Sequence, residues 1–123
     1  MPHCILEYPA NIPDQIDFKR LFVELHRNLI KTGEFKLADM KSRAISYEHY
    51  LTGDGKADRL FVNLEIRILE GRPEESKSQL SSIAMDILVK YFTATLRQSE
   101  SSITVHISDL NQASYKKRLG RSP

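Results

Sequence analysis

The 123-residue chain runs through one pattern twice: a short apolar strand, a long helix with one apolar face, and a second strand. A chain ordered β-α-β and then β-α-β has few ways to close. Strands joined through a helix pair in parallel and lay that helix on one face of the sheet. The first half, about residues 2–51, opens with "PHCILEY" at 2–8, where Ile and Leu in loose alternation predict a short strand. Pro9 and Pro13 break it. Asp14 is the expected N-cap of the next helix, with Asp17 favouring the dipole in its first turn. Phe18, Leu21, Phe22, Leu25 and Leu29 share one helical face, and Thr32-Gly33 ends the helix. "MKSRAISYEHYL" at 40–51 reads as the second strand and "TGDGKAD" at 52–58 as a turn.

The second half, about 59–110, carries the clearest strand. In "RLFVNLEIRIL" at 59–69, Leu60, Val62, Leu64, Ile66 and Ile68 alternate with Arg59, Phe61, Asn63, Glu65 and Arg67. One face is packed and the other is more polar. "EGRPEES" opens the second helix, with Pro73 suited to its first turn. Leu80, Ile83, Ala84, Ile87, Leu88, Tyr91, Phe92 and Leu96 keep helical spacing over more than four turns. "SSITVHISDL" at 101–110 alternates again, and 111–123 reads as a polar tail. The expected fold is α+β, one domain over 1–123, with two helices on one face of a four-stranded mixed sheet. The other face is solvated or covered by another subunit. Leu69, Phe61, Tyr47 and Tyr50 give it enough apolar surface for an oligomer.

Several function classes drop out. A net charge of +2 asks for neither nucleic acid nor an anionic membrane. The basic run "YKKRLGR" at 115–121 falls in the tail and reads as solvated. The single cysteine, Cys4, forms no intrachain disulfide and no metal knuckle. His3, His26, His49 and His106 lack ligand spacing. There is no nucleophile elbow, phosphate loop or zinc motif. The element order also fits an RNA-recognition domain, but Phe61 stands alone where that module needs several stacking aromatics. No apolar run has membrane-spanning length and no leader precedes the first strand, so a cytoplasmic protein is expected.

What remains is the opening itself, "MPHC". If Met1 is trimmed, the nitrogen of Pro2 is a secondary amine instead of an amide. An α-amino group titrates near ~8, and burial or a nearby guanidinium lowers that value toward a free base at neutral pH. Cations for such a site are available. Lys41 and Arg43 share a strand face at period two. Arg72 stands just ahead of a helix N-terminus, a combination suited to a carboxylate.

The Pro-His opening, "ANI", "KSR" at 41–43 and "EGRPEES" at 70–76 together resemble the 5-carboxymethyl-2-hydroxymuconate isomerase family of the tautomerase superfamily. The similarity runs over roughly residues 2–110. It implies two β-α-β units assembled as a homotrimer, with sites between subunits. It implies a cofactor-free, metal-free enol–keto isomerase of aromatic-compound catabolism, in the homoprotocatechuate pathway, acting on a small carboxylated dienol. Carried over, Pro2 is the acid/base and Arg72 binds a substrate carboxylate or polarises the 2-oxo group. A second family arginine falls on Lys41, which keeps the charge but loses the bidentate fork. Arg43, on the same face, is the expected substitute. This departure keeps a second reading open: a trimeric protein of the same fold without catalysis, serving as a small-molecule binder or scaffold.

Overall fold

The structure, a computed structural model, describes residues 1–98 and 100–120. Strand β1 (His3–Pro9) leads through helix α1 (Phe18–Ile30) to β2 (Lys41–Tyr47). Strand β3 (Phe61–Leu69) leads through α2 (Glu74–Tyr91) and the single turn α3 (Thr93–Leu96) to β4 (Ser102–Leu110). The sheet order is β2-β1-β3-β4. Within each half the strands are parallel, and β1 meets β3 antiparallel. This is the doubled unit expected from the sequence, its halves joined through the two first strands.

The alternation in β3 decides which face is covered. Val62, Leu64, Ile66 and Ile68 are fully buried, as are Cys4 and Leu6 of β1. Leu21, Leu25 and Leu29 of α1, and Leu80, Ala84 and Leu88 of α2, close over them. The opposite face is a polar ladder. Arg67 pairs with Glu65, Ser108 donates to Glu65 at 2.6 Å, and the Tyr47 hydroxyl donates to Glu7. Phe61 lies on that side with its ring edge-on to Tyr50 at 5.7 Å. Among the described residues no helix is long and apolar enough to cross a membrane.

Four local expectations change. The N-cap of α1 is Asp17, whose side chain accepts from Arg20 N, not Asp14. Asp14 serves the other half of the molecule. Its Oδ1 accepts from Ala94 N at 2.7 Å and its Oδ2 from Thr95 N at 3.0 Å, with the Thr95 hydroxyl adding a third bond. The second helix does not run to Leu96. It breaks at Phe92, whose fully buried ring sits on a non-helical backbone. After the break Thr95 faces inward and Leu96 is exposed. Pro73 is the N-cap residue of α2 and not part of its first turn, because its extended ψ of 154° lies outside the helix. The strand read over 40–51 is paired only to Tyr47.

Candidate active site

Pro2 stands directly ahead of β1. Its carbonyl accepts from Lys41 N at 3.1 Å, which extends the β1–β2 pairing by one step, and the residue is buried. Met1, in front of it, lines a pocket of about 410 Å³. The wall of that pocket comes from the loop after α1, the end of β3 and the segment after β4. The α1 loop turns because the Thr32 hydroxyl donates to Leu29 O at 2.7 Å and Gly33 takes a φ of +80°. Glu34 and Phe35 then face the pocket, and a 3₁₀ turn, Leu37–Asp39, returns the chain to β2.

Arg72 reaches this wall from the turn after β3, where Gly71 sits at φ +117°. Its guanidinium is held in three directions. Nε donates to Glu34 Oε2 at 2.7 Å, one Nη to Glu34 O at 2.9 Å and the other to Leu69 O at 3.3 Å. Phe35 lies under it, 4.8 Å from ring centroid to Cζ. Among the described residues three of the five guanidinium N–H groups are used, and these bonds fix its orientation. Its carboxylate partner is Glu34, not the Glu74 or Glu75 beside it in sequence.

Asp39 organises the other side. Its carbonyl accepts from the Met1 amine at 3.4 Å and from Lys41 Nζ at 2.9 Å, while its carboxylate takes Lys117 Nζ at 3.1 Å. Burial, together with Lys41, Lys117 and Arg72, lowers the amine of Met1 below its ordinary value, against an opposing pull from Asp39. Of the residues expected from the sequence, the structure thus gathers Pro2, Lys41 and Arg72 around the chain start, with Arg72 on the pocket wall and Lys41 turned to the Asp39 carbonyl. Arg43 goes elsewhere, donating to Nδ1 of His3 at 3.0 Å on the open sheet face.

Sequence reasoning missed Glu34, Phe35, Asp39, Tyr115 and Lys117. The last two lie in the run expected to be a solvated tail. Instead the start of that run packs back: Tyr115 and Lys117 line the pocket. No spacing rule links 39 with 117, because the contact exists only once the start of β2 and the end of β4 lie at the same end of the sheet. A larger depression of about 660 Å³ runs along α1 beside Val23, Arg27 and Lys31. It is lined by one helix and its cap, and it gathers no convergent groups from separate elements, which a binding site needs.

Comparison with known proteins decides the family. The sequence model of 5-carboxymethyl-2-hydroxymuconate isomerase matches residues 2–119. The chain belongs to this family. It is a tautomerase-type isomerase by descent. The 5-carboxymethyl-2-hydroxymuconate Delta-isomerase of Escherichia coli is 29% identical over 111 residues, covering 90% of this chain and 88% of that one. A crystal structure of a 5-carboxymethyl-2-hydroxymuconate isomerase from Deinococcus radiodurans R1 superposes with a TM-score of 0.86 at 25% identity, over 97% of this chain and 90% of the other. A fused 4-OT symmetric trimer shares the fold, with a TM-score of 0.63 at 16% identity over 94% and 93% of the two chains. The family match extends nine residues beyond Leu110, through the segment that carries Tyr115 and Lys117.

Proposed function

We propose that this isomerase converts a carboxylated dienol to its conjugated ketone, with the amine of Pro2, freed by removal of Met1, as general acid/base. The observation that carries this reading is the pocket at the chain start. Lys36, Arg72 and Lys117 outnumber Glu34 and Asp39 on its wall, beside the first amine of the chain. Pro2 nitrogen takes the proton of the 2-hydroxyl as the oxygen becomes a carbonyl, the double bonds shift, and the ammonium returns a proton to the far carbon. Arg72 uses its two remaining N–H groups on a carboxylate or on the developing oxyanion. Burial first, and then Lys41, Lys117 and Arg72, lower the amine of Met1, and trimming would leave these groups beside Pro2. The E. coli relative is named for a muconate that bears a carboxymethyl group, a substrate of the same chemical class. The open sheet face fits a homotrimer like that of the fused 4-OT structure.

Intact-mass measurement of protein from its native source should show a chain without Met1. Ketonisation of a 2-hydroxymuconate, monitored by ultraviolet absorbance, should proceed with kcat/KM rising with pH through the amine. Burial, Lys41, Lys117 and Arg72 destabilise the ammonium form of the Met1 amine against Asp39; with the same groups around Pro2 after trimming, the midpoint should fall below the ordinary α-amine value of ~8. Pro2→Ala should lower kcat by roughly 10²–10⁴-fold. Equal rates for the two proteins, or retention of methionine throughout, would remove Pro2 from the chemistry.

A further inference from the structure

β4 ends at Leu110, and the segment beyond it is held by specific hydrogen bonds. Asn111 Oδ1 accepts from Ser114 N at 3.2 Å, closing the 3₁₀ turn Gln112–Ser114. Gln112 N donates to Glu70 Oε2 at 2.6 Å, two residues ahead of Arg72. This tie fastens the turn to the strand end that delivers the pocket's arginine. The chain then places Tyr115 and Lys117 on the pocket wall. Lys117 Nζ pairs with Asp39 Oδ1 at 3.1 Å, and both side chains remain about one-third exposed. An ammonium has three N–H donors, and Asp39 uses one of them. Lys41, the other lysine tied to Asp39, binds its backbone carbonyl and is not on the pocket wall.

We propose that Lys117 is a substrate-binding residue that takes a second carboxylate while Arg72 takes the first, with Asp39 holding its ammonium in place. The pocket is thereby selective for dicarboxylates over monocarboxylates. The spacing between the two anchors is set by the Gln112–Glu70 tie, which joins the two segments that carry them. The inference rests on the functional reading above for the substrate's class, but binding tests it without turnover.

Calorimetric titration of the full chain with a saturated six-carbon dicarboxylate, and with the matching monocarboxylate, separates the cases. Charge-assisted hydrogen bonds of this kind carry an expected loss of roughly 10–100-fold in dicarboxylate affinity for Lys117→Met. Monocarboxylate affinity should stay within about threefold, because Arg72 is intact. Lys117→Arg should retain dicarboxylate binding. Lys116→Met removes the same charge one residue away, from a side chain that points to Ala113 O, and should leave binding unchanged. Equal dicarboxylate affinity in wild type and Lys117→Met, an equal loss in Lys116→Met, or no dicarboxylate binding by the wild type would each overturn the proposal. Lys117-dependent binding without any ketonisation would overturn the isomerase mechanism and leave this inference standing.

Discussion

Arg43 donates to Nδ1 of His3, and a guanidinium cannot accept, so that ring nitrogen carries no proton. His3 is therefore neutral, with its proton on Nε2. Its pKa is lowered first by burial and then by Arg43, Lys41 and the chain amine. Charging His3 opposes the fold, so stability falls as pH drops below the ordinary histidine value of ~6.5. Arg43→Ala should move the His3 titration upward, read from its ring protons by NMR; an unmoved midpoint would show that Arg43 has no hold on the ring. The residue types at 41, 43 and 72 were legible as cations in the sequence. Their partners were not. Glu34 and Asp39 are ordinary surface carboxylates in a linear reading, and only proximity in space makes one a clamp for Arg72 and the other the anchor of Lys117.

At the level of elements, apolar periodicity located β1, β3, β4 and both long helices, because one face of each packs against the core; β2 was legible only from its Ile and Tyr content and its lack of breakers. Cys4 illustrates the same rule. It packs in the core, and burial pushes its thiol up to about 11. Periodicity failed at element ends, where capping decides. Asp14 looks like a helix cap at its own position, yet its carboxylate serves α3, eighty residues away. Two backbone N–H groups and a hydroxyl depend on it, so Asp14→Ala should destabilise the protein by roughly 1–2 kcal/mol. Denaturant unfolding checks this, and a change under ~0.3 kcal/mol would mean that the α3 turn caps itself with solvent. Leu96 kept the helical spacing but lost the helix. The break at Phe92 lets a large ring enter the core and rotates the next turn, so Thr95 goes inside.

For the whole molecule, one face of the sheet is closed by α1 and α2 and the other carries charged and hydroxyl pairs with Ile45 and Phe61 among them. A second copy that meets this face can cover Ile45 and Phe61, because the charged groups beside them are already paired within the chain. Sedimentation should therefore give a particle of three times the 14.2 kDa chain mass; a monomer at micromolar concentration would remove the trimer from the proposal. The sequence by itself determined the doubled β-α-β plan, the apolar faces of β3 and the two long helices, and the presence of cations at 41, 43 and 72. Those arise from local periodicity and residue chemistry, which a linear pattern encodes directly. Only the tertiary structure decided that the segment after β4 is part of the pocket. Lys117 meets Asp39 across 78 positions of sequence, and a pair of opposite charges carries no signature of distance or direction until the sheet brings the two segments within reach.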